Sequence, residues 1–308
     1  MTTTSTAPVG RPARRPFSLG YLPYLIPGLL GYLVIIAIPF FTNLGLSFTS
    51  WAGIGDPRPV GLDNYVRLIG DETFWVSLFN SFAMIIAMAV VPTLITLVLA
   101  AALYDYVGTA FGPKLASFFR AGFYIPQIIP ITVVGILWGW MLMPTGGVVN
   151  SFLKSIGLEA LTNNWLGSPT TALPSVMVVL IWFQIGYCLV MFMAGLARTD
   201  PSLTEAASLD GATWRQRFFH VIIPQLKPEI YVVLLTTTIT ALKVFAPIYV
   251  LTKGGPGTAT TVPSYLAWQA FFSRNDVGYG ATVSSVMTII IIVLALLFQR
   301  AQSRGQED

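Results

Sequence analysis

Charge is what this chain has least of. Only 10% of its 308 residues are Asp, Glu, Lys or Arg while 55% are hydrophobic, which leaves too little polar surface to cover a water-soluble fold. A single cysteine, Cys188, excludes an intrachain disulfide, and a single histidine, His220, excludes a metal site built on several imidazoles. No long apolar run contains Asp or Glu, which argues against an ion-coupled secondary transporter and against a membrane-embedded enzyme with an acid–base pair. Both classes stay open as alternatives at this level. No Gly-x-x-x-x-Gly-Lys-Ser/Thr sequence occurs, and Gly254-Gly255-Pro256-Gly257 lacks the lysine, so the chain carries no ATPase loop of that type. The net charge of +4 is scattered over short connections and forms no basic face, which removes nucleic acid as a partner.

What is present is apolar sequence in long runs. A spanning helix takes about 20 predominantly apolar residues, and six runs qualify: residues 21–48, 74–104, 115–143, 172–197, 230–252 and 279–298. They are continuously apolar and do not alternate, which predicts helices and not barrel strands. The expected fold class is all-α, a polytopic membrane protein with six transmembrane helices. Residues 1–18 are expected to form a disordered cytoplasmic tail, 19–300 the membrane domain and 301–308 a short cytoplasmic tail. With the N-terminus cytoplasmic, one side collects Arg11, Arg14, Arg15, Lys114, Arg120, Arg198, Arg215, Arg217, Lys227, Arg300 and Arg304. The other holds only Arg58, Arg67, Lys154, Lys253 and Arg274. Both termini and the segment 198–228 are therefore expected on the cytoplasmic side, with the turn-rich connections 51–61, 144–169 and 254–263 outside.

The polar segment 198–228 reads as two short helices. Asp200 or Ser202 caps the first, Asp210-Gly211 turns the chain, and residues 212–221 form the second, ended by Pro224. Trp214, Phe218 and Val221 share one face of that second helix, opposite Arg215. Such a pair suits insertion into a groove on a soluble partner. Equally, Glu205 completes a capping box with Ser202 and the amphipathic helix lies on lipid headgroups. In the fifth run Thr236, Thr237, Thr238 and Thr240 precede Lys243, the one charge well inside a span. That lysine either serves function or snorkels to the near surface. Pro39, Pro92, Pro126 and Pro130 can kink their helices.

Glu205-Ala206-Ala207, three residues, Gly211 and then Ile223-Pro224 is similar to the EAA loop of binding-protein-dependent ABC importer permeases, with Val221 and Ile223 where the usual form has Ile and Leu. Four further stretches resemble the sugar-importing, maltose-type branch: Gly61-Leu62-Asp63-Asn64-Tyr65, Gly147-Val148-Val149-Asn150, Trp182 with Gly186, and Leu251-Thr252-Lys253-Gly254-Gly255-Pro256. Within that branch the chain looks most like disaccharide permeases of the mycobacterial trehalose-importer type. The resemblance implies the type I ABC permease fold in a bacterial inner membrane, with no catalytic residue, metal or cofactor in this chain. ATP and Mg would be bound by two cytoplasmic nucleotide-binding subunits. A second homologous permease and an extracytoplasmic sugar-binding protein or lipoprotein would complete the assembly, with a sugar as cargo. It further implies that Glu205, Ala206, Ala207, Asp210, Gly211 and Arg215 meet the ATPase. The sugar pathway would fall to Gln184, Tyr187 and Cys188 of the fourth run and to Thr237, Thr240, Ala241 and Val244 of the fifth. For each threonine alone, a bond to its own helix backbone is the plainer reading. Thr240 and Ala241 stand where maltose-type permeases carry bulkier aromatic and amide residues, so a maltose-like contact pattern is not implied.

Overall fold

The structure, a computed structural model, describes residues 22–107 and 112–304. The tail at 1–18, with Arg11, Arg14 and Arg15, and the last four residues lie outside the described residues, so the tails expected there are not addressed.

Three prolines coincide with a change in how the long helices are wound. Proline has no N–H to give and its ring collides with the carbonyl four residues back, so an interior proline breaks or widens the helix. Three π-helical segments, Leu33–Ala37, Ile86–Val90 and Phe218–Ile222, each end two residues before a proline, namely Pro39, Pro92 and Pro224. The offending carbonyl belongs to Ile35, Met88 or His220, in the middle of the widened turn. The helix absorbs the proline without stopping.

This corrects the reading of Pro224 as a terminator. Among the described residues, α1 spans Tyr24–Leu46 and, up to Gly45, forms a unit of its own. In the second unit a short antiparallel ribbon, β1 Thr49–Ser50 with β2 Arg58–Pro59, leads to α2, Asp63–Ile69. The spanning helix α3 follows, Glu72–Tyr104. The third expected span is not one helix: α4, Pro113–Ile128, and α5, Ile131–Met141, meet at a 95° bend. Pro130 causes it, because it forces Ile129 into extended backbone (ψ 132°) and has no amide to continue the ladder. A short helix α6, Val148–Ser155, precedes the long α7, Pro169–Leu196. Then come α8, Pro201–Leu209, and α9, which runs unbroken from Trp214 to Leu242. The fifth span therefore starts well before residue 230 and stops before 252, and the stretch after it holds α10, Ala246–Leu251, and an unforeseen helix α11, Pro263–Phe272. The last helix, α12, Val277–Arg304, reaches beyond residue 298 into the expected tail.

In lipid there is little hydrophobic drive between helices, so close approach and hydrogen bonding do the packing. α7 packs against α3, α4 and α9, and α9 also packs against α3 and α12. Gly186 lets α7 touch α4, and Gly135 lets α5 meet Val250 of α10. Cys188, Leu189 and Phe192 of α7 meet Leu97 and Ala100 of α3 and Leu226 and Val233 of α9 in one buried cluster.

At the end of the bundle away from α8, the loops are tied by amides. Asn64 donates to the carbonyls of Ser47 and Thr49 at 3.0 and 2.9 Å, and Tyr65 meets the Ser47 hydroxyl at 2.7 Å. Asn80 of α3 donates to the Thr261 carbonyl at 2.9 Å. Thr252 and Thr260 share a bond of 2.6 Å inside the Lys253-Gly254 turn, where both residues have positive φ. Arg67 pairs with Asp276 at 2.6 Å and lies 4.2 Å over the Tyr279 ring. Burial would raise the Asp71 carboxyl, but hydrogen bonds from the Tyr279 hydroxyl and the Thr73 amide outweigh it and hold the group below its ordinary value. Asn150 uses its whole amide: Nδ2 donates to Pro144 and Asn163 carbonyls at 3.1 and 2.8 Å, and Oδ1 accepts from the Asn163 amide at 3.2 Å and the Trp165 indole at 2.8 Å. Asn150→Leu strips these groups of partners and is expected to cost about 1–3 kcal/mol. A lowered thermal midpoint of the purified protein, against an unchanged one if the loop is slack, checks it.

Candidate functional site

The bend between α4 and α5 and the end of α9 face one cavity. Non-helical backbone at membrane depth is tolerated only where it is buried in protein or lines a water-filled space. Here the space measures about 640 Å³, within the range that holds small polar ligands. Gln127 and Ile131 line it from either side of the α4–α5 bend, and Lys243, Val244 and Phe245 from the end of α9. Met88 in the π segment of α3, Phe183, Gln184 and Tyr187 of α7, and Thr236, Thr237 and Thr240 of α9 complete most of the wall.

Of the residues named from the sequence, Gln184, Tyr187, Thr237, Thr240 and Val244 come together on this wall. Cys188 and Ala241 do not. Both are fully buried, Cys188 in the packing of α7 against α3 and Ala241 beside Met84 and Ile248. One residue along a helix turns a side chain by about 100°, which is enough to take Cys188 from Tyr187's side of α7 into the core. Gln127, Phe183 and Phe245 were missed. The readable signal for Gln127 was an amide between two prolines in an apolar run; the two phenylalanines gave none.

The wall's hydrogen-bond polarity follows from local bonds. Thr236, Thr237 and Thr240 donate to the carbonyls four residues back at 2.8, 2.6 and 2.8 Å. The backbone bonding weighed for these hydroxyls is therefore present, and their lone pairs are what remain. Tyr187 and Thr236 share a bond of 3.1 Å, and Gln127 Nε2 donates to the Phe183 carbonyl at 2.7 Å. Lys243 caps α9 at φ −101°, with its exposed side chain on the cavity. It is not a residue of a continuous span near the surface, as expected, but the first residue of a break.

At the opposite end of α9 sits the short helix α8; the second short helix expected over 212–221 is not separate but forms the start of α9. Asp200 caps α8 by accepting from the Ser202 amide at 2.9 Å, and that bond holds its carboxyl below the ordinary value. The capping box weighed for Ser202 and Glu205 is not formed; the box is Thr213 with Gln216, one helix later. α8 ends in a Schellman arrangement: the Ala212 amide reaches the Ala207 carbonyl at 3.0 Å, the Gly211 amide reaches Ser208 at 3.1 Å, and Gly211 sits at φ +79°. Glu205, Ala206, Asp210 and Arg215 are exposed, and Ala207 is partly covered. Trp214 and Phe218 stack at 5.2 Å and 9° and root the start of α9 in the core beside Phe192. Arg198, just past α7, pairs at 2.6 Å with Glu229 of α9. Glu229, one residue before the apolar run 230–252 that was expected to hold no carboxylate, thus lies inside the long helix α9, which begins earlier than that run.

The chain matches the family described as binding-protein-dependent transport system inner membrane component over residues 98–307. It is 34% identical to the probable ABC transporter permease protein YurN of Bacillus subtilis, over 93% of this chain and 98% of that one. To the trehalose/maltose transport system permease protein MalF of Thermococcus litoralis it is 31% identical, over 92% and 93%. Among solved structures it resembles a chain of a bacterial ABC transporter involved in import of the acidic polysaccharide alginate. The TM-score is 0.78 at 23% identity, covering 92% of this chain and 96% of that one, a likeness of fold.

Proposed function

We propose a transport role from one premise: the chain belongs to the family of binding-protein-dependent transport system inner membrane components. It is a permease subunit of an ABC importer for sugars, and it forms half of the translocation pathway. A second homologous permease would close the other half about a pseudo-twofold axis. Two cytoplasmic nucleotide-binding subunits would hold ATP and Mg, and an extracytoplasmic sugar-binding protein or lipoprotein would deliver the cargo. Both termini and α8 face the cytoplasm in this reading, in a bacterial inner membrane. A disaccharide is the cargo class we favour, and since one relative is a trehalose/maltose permease, trehalose is the neutral sugar to test first.

One observation carries the coupling proposal. α9 is a single helix of 29 residues, roughly 43 Å of rise. The Gly211 turn stands at one end, and Thr236, Thr237 and Thr240 on the cavity wall stand near the other. A displacement delivered to α8 and the start of α9 by closing ATPase subunits would therefore reach the cavity without crossing a flexible joint. Glu205, Ala206, Ala207, Asp210, Gly211 and Arg215 are the proposed contact surface. Gln184, Tyr187, Thr237, Thr240 and Val244, joined by Gln127 and Phe183, are the proposed pathway. Sugar hydroxyls would donate to the threonine lone pairs and lay their apolar ring faces on the aromatic side chains, a grip weak enough to release.

The test is affinity purification from native membranes followed by ATPase assay on the intact assembly. An ATP-hydrolysing chain, a second permease and stimulation by sugar-loaded binding protein are expected. Uptake by this chain alone in vesicles, with no ATPase present, would overturn the reading in favour of a secondary transporter.

A further inference from the structure

Lys243 is the one charged side chain on the cavity wall, and no wall residue is acidic. It also borders a second recess of about 350 Å³ between α9, α11 and α12, whose lining, including Ile239, Met287 and Ile291, again holds no carboxylate. Among the described residues the three ion pairs are Arg67–Asp276, Lys154–Glu159 and Arg198–Glu229, so the ammonium has no acid partner among them. The C-terminus of α9 at its root offers the equivalent of about half an opposite charge, which leaves the ammonium largely uncompensated. A cation kept at membrane depth without a counter-charge is costly and marks a pathway.

The neighbouring wall is biased the other way. The protons of Thr236, Thr237 and Thr240 are committed to backbone carbonyls, and one Gln127 proton to Phe183. The α9 face thus presents acceptors, which a neutral polyol matches through its O–H groups. Three ammonium N–H donors stand at the end of that face, where neither lining supplies a carboxylate to receive them. We infer that the cargo of this cavity is a sugar bearing one anionic group, a uronate carboxylate or a sulfonate, received by Lys243 while its hydroxyls donate along Thr236 and Thr240. The inference deepens the transport reading and rests on it. It also sets an orientation, with the charged end of the sugar at the α9 terminus and the polyol end towards Tyr187.

The experiment uses the complete importer in proteoliposomes. Trehalose, maltose and cellobiose are each compared with the same disaccharide oxidised to a single uronate, by direct binding and by ATPase stimulation. At least one uronate is expected to bind about tenfold or more tighter than its neutral parent at low salt, a preference that shrinks as salt is raised. In Lys243→Met that preference disappears, in Lys243→Glu it inverts, and Lys243→Arg keeps it. Three results overturn the inference: no uronate preferred in the wild type, equal loss of both members of a pair in Lys243→Met, or failure of Lys243→Met to co-purify the second permease. The last would mark the lysine as an ion-pair partner of that subunit. Coupled uptake of neutral sugars with no charge preference removes only this inference, whereas an assembly without an ATPase chain removes the transport reading itself.

Discussion

Gly211→Val in the assembled transporter is expected to hydrolyse ATP while its sugar uptake falls below about a tenth of wild type, since a strained turn of 1–2 kcal/mol is enough to repopulate the lever's geometry about tenfold. The reason is conformational and not steric. A Cβ at Gly211 would meet nothing within 4 Å, so no packing is disturbed and the bundle keeps its fold. The backbone, however, stands at φ +79°, where a β-branched side chain collides with its own peptide groups. Relief requires the turn to leave the left-handed region, which breaks the Ala212-to-Ala207 and Gly211-to-Ser208 hydrogen bonds and changes the angle of α8 to α9. Gly211→Asn separates this from any general effect of adding a side chain, because asparagine tolerates the left-handed region. It should recover most of the uptake. The ratio of sugar transported to ATP hydrolysed in proteoliposomes reads the effect directly, and an unchanged ratio in Gly211→Val removes the coupling role.

Gly186→Val is expected to act on the bundle itself. A Cβ at this position would lie 2.5 Å from the Phe123 carbonyl oxygen and 3.1 Å from Tyr124 Cα, both backbone atoms of α4 that cannot rotate away. α7 and α4 must separate, at a cost of about 1–3 kcal/mol or more for overpacking. The separation also pulls on the 2.7 Å bond from Gln127 to the Phe183 carbonyl, which spans the same contact beside the α4–α5 bend. The cavity wall should therefore deform along with the loss of stability. A thermal midpoint lowered by about 5 °C or more in detergent, together with loss of sugar-stimulated ATP hydrolysis, is the expected pair of results. Gly186→Ala should fall between. A Gly186→Val variant that melts and transports like wild type would mean that the two helices do not meet at this glycine.

The residues most easily read from the sequence proved to be of two kinds. The Gly61–Tyr65, Gly147–Asn150 and Leu251–Pro256 stretches carried the resemblance, yet their side chains hold loops: Asn64 bonds the Ser47 and Thr49 carbonyls, Asn150 bonds four loop groups, and Thr252 bonds Thr260. Such local patterns are legible because turn and amide geometry constrain residue type over a few positions. The cavity was harder. Tyr187 and Cys188 are neighbours in the chain, but only Tyr187 faces the open space. α7 is apolar on nearly every side, so its sequence carries no periodic mark of which face meets α3 and which meets the cavity. Pro130 and Pro224 make the same point. Each was visible as a proline in an apolar context, yet one bends the chain by 95° and the other is absorbed by a π turn.

By itself the sequence determined the lipid solvent of this chain, its helical class, the number of its hydrophobic runs and the polar segment between the fourth and fifth of them. These depend on composition, run length and short-range turn chemistry, which act within one segment and do not need its neighbours. Only the tertiary structure decided that α9 joins the Gly211 turn to the cavity without interruption, that the third span breaks beside Gln127, and that Lys243 stands on a wall whose lining residues include no carboxylate. Those outcomes depend on which faces of different helices meet, and an all-round apolar helix leaves that choice to its packing partners.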